Sequence, residues 1–297
     1  MLKNTIIVLM LSFIFCTKEY GYHSLPSIGE CRFEVLNSYM VKPIHLSYIE
    51  VAPRPIYESL ILPGKEGKYG MDCEDRDTRM LGIYIRAMRF ENITSAVEDK
   101  YDLPRFTLLA MLMQETNGIN YLPNGRNDGG IGLIHMQPLL ADQFGLTTHG
   151  GCKDMVCFKH GLDLRNLVNA YALYKPEELL KYDDRFHPII NVDAAGRMIK
   201  YYSTLKIIGK DSLDSAFKRY AGKYNYVKYT TNIRFFIKHL MDEEFMNNVE
   251  SKFNELHPNL VINGEASDFK RFIAANHEYN RNFDLDKYQR AYFGPRP

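Results

Sequence analysis

Residues 104–118, PRFTLLAMLMQETNG, decide the fold of this chain. Their apolar side chains recur at the spacing of one helical face, at Phe106, Leu109, Ala110 and Met113. We expect Asp102 to cap this helix and Pro104 to lie in its first turn. Asn117 and Gly118 are residue types that end helices, so the segment predicts one short apolar helix.

Glu115 stands at the end of this helix, on the face that also carries Leu108, Met111 and Leu112. Removal of a carboxyl group from water disfavours its charged form and raises its pKa. A raised pKa suits a general acid near neutral pH. The alternative is an ordinary glutamate that points into solvent at a helix end, because charged side chains are mostly exposed.

A glycine-rich segment follows, DGGIGLIHMQP at residues 128–138. Its three glycines allow the backbone to approach a ligand closely, and its apolar residues would anchor it to the core, at Ile131, Leu133 and Met136. Alone, such a segment is equally typical of a turn before a helix. That helix is expected from near Pro138 to Gly145.

A third segment, FKRYAG at residues 217–222, reads as a helix end followed by a glycine break and further aromatic residues. Taken alone, tyrosines at a helix end indicate core packing more often than function. The remaining helices are expected at residues 78–101 (as one helix or as two pieces), 193–208, 212–220 (capped by Asp211 or Ser212) and 227–248.

In this order and spacing, the three segments resemble the catalytic domain of the soluble lytic transglycosylases. The Glu-Ser pair of that family corresponds to Glu115 and Thr116, and its Gly-Leu-Met-Gln element corresponds to residues 129–138. Its third element, Tyr-Asn-Gly or Tyr-Asn-Ala-Gly, corresponds to residues 220–222. The resemblance covers residues 95–240. It implies a mainly α, lysozyme-like fold of the goose-type class, with a loop-rich N-terminal extension.

The sequence departs from the family pattern at three positions. His135 replaces the glutamine of the second element, although Gln137 follows two residues later. Ala221 replaces the asparagine of the third element, and Thr116 replaces serine but keeps a hydroxyl group. Residues 150–190 look like insertions relative to the family.

The resemblance implies cleavage of the β-1,4 bond between N-acetylmuramic acid and N-acetylglucosamine in peptidoglycan. Glu115 would act first as the acid and then as the base, and the product would end in a 1,6-anhydro ring. The resemblance implies no cofactor. It assigns contacts with the glycan strand to Thr116, Gly132, Leu133, His135, Gln137 and Tyr220.

Two other functions remain open from the residues alone. A hydrolytic muramidase would use Asp128 to assist a water molecule, because most glycosidases use two carboxyl groups. We favour a turn role for Asp128. A non-catalytic wall-binding protein is the third reading, motivated by the changes at His135 and Ala221, although the retained Glu115 argues against it.

The first 22 residues read as a signal peptide. Lys3 precedes an apolar run over residues 6–16, which is too short for a membrane span. We therefore expect export to the periplasm, the cell envelope or the medium. Cys16 raises the question of lipidation, but Phe15 stands where a small residue is usual. A net charge of +1 gives no basis for a nucleic-acid partner, whereas membrane, envelope or secretion-machinery partners stay open.

In an exported chain, the cysteines after Cys16 favour disulfides, and the expected pairs are Cys31–Cys73 and Cys152–Cys157. Four free thiols are the alternative. The nine histidines show no spacing typical of metal sites, so we expect no metal. The expected domains are an N-terminal extension at 23–94, a catalytic domain at 95–248 and a C-terminal appendage at 249–297.

Overall fold

The structure is a computed structural model. It describes residues 83–84, 87–118, 124, 127–171, 176–205, 207, 209, 211–222, 225–256, 261–262, 265–266 and 268–271. The expected signal peptide, Cys16 and the pair Cys31–Cys73 lie outside these residues, as does most of the N-terminal extension. In the described part of the chain, no helix is long and apolar enough to cross a membrane.

The described part of the chain is mainly helical, which confirms the predicted fold class at that level. Its helices are α1 (Glu91–Tyr101), α2 (Thr107–Thr116), α3 (Pro138–Gln143), α4 (Phe158–Tyr171), α5 (Pro176–Leu179), α6 (Pro188–Thr204), α7 (Ser212–Ala221), α8 (Tyr226–Leu240) and α9 (Glu243–Leu256). Short 3₁₀ turns lie at His149–Gly151 and Asp184–Phe186. Two short antiparallel strands follow, β1 (Val261–Ile262) and β2 (Glu265–Ala266).

Helix α2 lies at the centre of the core and packs against α1, α6 and α8. Every side chain from Thr107 to Met113 is fully buried. A helix that is apolar on all sides is stable only when other elements surround it. The apolar segment at residues 107–116 is therefore the helix around which α1, α6 and α8 pack.

The start of α2 differs from the prediction, and its end agrees with it. The helix begins at Thr107, after Phe106 in a left-handed conformation, and not near Pro104. The buried Glu98 carboxylate accepts hydrogen bonds from the backbone N–H groups of Phe106 and Leu108, at 2.9 and 2.7 Å. The cap thus comes from α1, while Asp102 ends α1. The C-terminus is confirmed, because Asn117 is the left-handed C-cap.

The helix boundaries after α5 agree with the sequence prediction at some positions and differ from it at others. Asp211 caps α7 by accepting a hydrogen bond from the N–H of Asp214, as predicted. Helix α6 begins at Pro188, five residues before its predicted start. The single helix predicted over 227–248 is wrong: the chain breaks after α8, and Asp242 accepts a hydrogen bond from the N–H of Phe245 to start α9.

Residues 150–190 hold α4, α5 and a disulfide between Cys152 and Cys157, which confirms that predicted pair. The expected domain boundary at 248 falls inside α9. Beyond it, Val249, Phe253 and Phe269 are buried in the same apolar core as α2.

Candidate functional site

The carboxyl group of Glu115 lies in the last turn of α2, and its side chain is only 17% exposed. Its Oε2 atom is 3.7 Å from Nδ1 of His135. The pKa of Glu115 is raised from 4.5 to about 7, chiefly by burial, and the negative charge of Asp128 contributes to the same rise. The hydroxyl groups of Tyr229 and Tyr220 act against this shift by favouring the carboxylate.

Tyr220 at the end of α7 and Tyr229 in α8 bring their rings to 5.5 Å between centroids. Burial and the nearby Glu115 carboxyl raise the pKa of both phenols well above 10, so both keep their protons at neutral pH. The Tyr220 hydroxyl donates a long bond of 3.4 Å to the His135 carbonyl. The buried Tyr229 hydroxyl has no well-formed hydrogen bond within the described residues. Both hydroxyls therefore lie near Glu115 without a short hydrogen bond in the described residues.

The glycine segment forms a tight turn whose ends meet in a bridge between Ile131 and Met136. The Thr116 hydroxyl, at the end of α2, is shared between the carbonyl groups of Leu112 and Leu133, each at 3.0 Å. Gly132 has a φ of +89°, which a side chain would strain. The turn is thus fastened directly to the helix that carries Glu115.

Asp128 lies at the start of this turn. Its Oδ1 atom accepts a hydrogen bond from the N–H of Gly130 at 3.1 Å, which is the turn role that the sequence favoured. Its charge also raises the pKa of Glu115, so the two carboxyl groups belong to one electrostatic site. Asp128 is therefore part of the site as well as of the turn.

The six residues predicted to contact the glycan fall into two groups. Thr116, Gly132 and Leu133 are buried, and their described contacts hold the turn to the core. His135 is 7% exposed, whereas Gln137 and Tyr220 are half-buried. The Oε1 atom of Gln137 has no hydrogen-bond partner among the described residues. A glycan role for all six stays a prediction, and Gln137 and Tyr220 are the more accessible members.

Sequence reasoning missed Tyr229. Helix α8 turns one face inward, and the residues buried on it are Tyr229, Ile233, Phe236 and Leu240. A phenol on an otherwise apolar helical face needs a polar partner in the core. That pattern is readable in the sequence, but the carboxyl group whose pKa the phenol influences, Glu115, becomes visible only once α8 packs against α2.

One other cluster carries potential metal ligands. Ligand atoms of Cys152, Asp154 and Cys157 lie within 4.8 Å of one another. The two sulfur atoms are joined as a disulfide, so neither is a thiolate that could bind a metal.

No protein-family model, curated protein or solved structure matches this chain.

Proposed function

We propose that this protein is a lytic transglycosylase of lysozyme-like fold that cleaves the β-1,4 bond between N-acetylmuramic acid and N-acetylglucosamine in peptidoglycan. The observation that carries the proposal is the buried Glu115 carboxyl, whose pKa of about 7 suits it for both proton donation and proton acceptance. The order of the three sequence segments around this carboxyl also supports it.

In this mechanism, protonated Glu115 donates its proton to the leaving glycosidic oxygen. The N-acetyl group of the muramic acid stabilises the electron-poor anomeric carbon. The Glu115 carboxylate then accepts the proton of the sugar's 6-hydroxyl group, whose oxygen closes the 1,6-anhydro ring. One group serves both steps because its two protonation states are nearly equal in free energy at neutral pH.

The two phenols support this cycle. Tyr220 and Tyr229 stay protonated at neutral pH and can donate to the carboxylate that forms after the first step. They also provide polar groups near the position where Ala221 removes the family's asparagine. The change at Ala221 therefore does not leave the site without hydrogen-bond donors.

A hydrolytic muramidase is the second candidate. The observation that favours it is the electrostatic contact of Asp128 with Glu115, since a second carboxylate near the acid could direct a water molecule. Against it, Oδ1 of Asp128 is already used by the N–H of Gly130.

The two candidates differ in their products. We would incubate the mature chain with purified peptidoglycan, beside Glu115→Gln and Asp128→Asn variants, and measure the masses of the released muropeptides. The proposal expects products one water lighter than hydrolysed ones, which are absent with Glu115→Gln and retained with Asp128→Asn.

Three outcomes would contradict the proposal in different ways. Products with free reducing ends that require Asp128 would establish the muramidase. Anhydro products that persist with Glu115→Gln would remove Glu115 from the mechanism. No products from a folded wild-type chain that still binds peptidoglycan would favour a binding protein.

A further inference from the structure

Arg185 is the largest side chain that is fully buried in the described part of the chain. It lies in the 3₁₀ turn before α6, within residues 150–190. A guanidinium group has five N–H donors and no acceptor. Burying such a group is costly unless every donor is used and the charge is balanced.

All five donors of Arg185 are used. Two go to the Asp183 carboxylate, from Nε at 2.9 Å and from Nη2 at 2.7 Å, which balances the charge. The second proton of Nη2 goes to Nε2 of His160 at 2.8 Å. Because arginine cannot accept, that histidine nitrogen must be the acceptor, and burial together with Arg185 lowers the pKa of His160 to about 4. His160 is therefore a neutral acceptor at physiological pH.

The remaining two donors, both on Nη1, go to the carbonyl oxygens of Gly129 and Met136, each at 2.7 Å. These carbonyls flank the tight turn of the glycine segment. One nitrogen atom thus binds the glycine segment both before the turn, at Gly129, and at its end, at Met136. Asp128 directly precedes one of these anchored residues, and His135 directly precedes the other.

A second buried side chain holds the middle of the turn. Asn191 in α6 accepts from the N–H of Ile134 at 2.8 Å and donates to its carbonyl at 3.3 Å. A Cβ atom at Gly132 would overlap both the Asn191 side chain and the Arg185 carbonyl. The turn therefore packs closely against these two residues at Gly132 and Ile134.

We propose that Arg185 is a positioning residue for the Glu115 site, which acts through the carbonyls of Gly129 and Met136 to hold Asp128 and His135 beside the Glu115 carboxyl. The claim for catalysis rests on the proposed function, whereas the claim for the position of the turn does not. Asp183 and His160 orient the guanidinium through its Nε and Nη2 donors, which leaves Nη1 for the two carbonyls.

The chemistry of this position requires arginine. A lysine offers three donors from one atom and cannot span an acid, an imidazole and two carbonyls that the planar fork of arginine reaches together. We therefore expect Arg185→Lys to free the turn while keeping the charge next to Asp183. A displacement of about 1 Å at a catalytic group is enough to reduce turnover by up to about a hundredfold.

The test compares Arg185→Lys with Arg234→Lys in the full chain. Arg234 is an exposed arginine that also pairs with two carboxylates, Asp211 and Asp214, outside the site. Three quantities are measured: kcat and KM on peptidoglycan, the titration midpoint of the Glu115 carboxyl by NMR of glutamate-labelled protein, and hydrogen exchange of the amides at 131, 134 and 136.

With Arg185→Lys we expect kcat to fall at least about tenfold, with a smaller change in KM. The Glu115 midpoint should fall towards its ordinary value as water enters, and the turn amides should exchange faster while those of α9 do not. Arg234→Lys should leave all three quantities unchanged. A folded Arg185→Lys protein with the wild-type midpoint and the wild-type turn protection would overturn the proposal.

His160 provides a second pair of variants in case Arg185→Lys does not fold. His160→Gln retains a side-chain acceptor for Nη2, whereas His160→Leu removes it and leaves a buried donor unpaired. We expect faster exchange in the turn with His160→Leu and partial rescue with His160→Gln. Equal amide exchange rates in the two variants would show that the hydrogen bond between Arg185 and His160 does not help to hold the turn.

Failure of the positioning role and failure of the proposed function give different experimental results. If the wild-type protein releases no muropeptides, the proposed function fails, and the NMR midpoint and hydrogen exchange still decide whether Arg185 positions the turn. If the wild-type protein is active and Arg185→Lys retains full activity and turn protection, only this inference fails.

Discussion

Replacement of Glu115 by glutamine should stabilise the protein at neutral pH while it removes activity. The carboxyl pKa is about 7 in the folded chain against an ordinary value of 4.5, because the side chain is buried at the end of an apolar helix. A folded pKa above the unfolded one means that stability is fully present below pH 4.5 and is lost as the pH rises to 7. A glutamine at the same place has no charge to desolvate.

The size of the stability change follows from the pKa shift of Glu115. A difference of about 2.5 pKa units corresponds to roughly 3 kcal/mol of stability that wild type loses between pH 4 and pH 8. The free energy of unfolding of Glu115→Gln minus that of wild type should therefore rise by about 3 kcal/mol over this range. Glu98, whose pKa burial also raises to about 7, is present in both proteins and cancels in the difference.

The assay is urea unfolding followed by circular dichroism at pH 4, 6 and 8. For a chain of this size, the gain at pH 8 corresponds to roughly 1 M in the urea midpoint. Glu244→Gln is the matched control, because it removes an exposed carboxylate on α9. If the difference between Glu115→Gln and wild type is the same at pH 4 and pH 8, Glu115 is not desolvated, and the argument for its acid–base role fails.

Three further predictions concern the surroundings of Glu115. Tyr229→Phe removes a hydroxyl that lowers the pKa of Glu115, so the midpoint in the pH–rate profile should move up. Thermal stability should change little, because that hydroxyl has no well-formed hydrogen bond. An unchanged pH–rate profile would exclude contact between the two groups. Asp128→Asn keeps an acceptor for the N–H of Gly130 but removes a negative charge, so the same midpoint should move down, and an upward move would refute the assigned interaction. Gly132→Ala should lower the free energy of unfolding by more than about 3 kcal/mol in thermal denaturation. The control Gly151→Ala, at a left-handed φ with open space around it, should lower it by only about 1 kcal/mol. Equal losses would mean that Gly132 does not pack against Asn191.

The sequence was sufficient to predict helix termini that depend on side chains close by in the chain. The end of α2 at Asn117 and the cap of α7 at Asp211 depend on side chains within a few positions of the helix terminus. The break at Asp242 was also readable, because an aspartate followed by two glutamates is typical of a new helix start, yet the apolar pattern across it was read as continuous.

Contacts between distant segments could not be read in this way. The cap of α2 comes from Glu98 on another helix, so Asp102, which is nearer in sequence, was assigned the wrong role. Tyr229 and Arg185 belong to the neighbourhood of Glu115 only because α8 and the turn before α6 pack beside α2 and the glycine segment. A single sequence gives their residue types but not their partners.

The central claim is that Glu115 alone performs acid–base catalysis on a glycan strand without water as a reactant. Digestion of peptidoglycan in isotopically labelled water, with product masses compared against digestion in ordinary water, tests it most directly. The account predicts wild-type products that carry no label at the new chain end, and no products from Glu115→Gln. One labelled oxygen at each new reducing end would contradict it, and would assign the protein to hydrolysis.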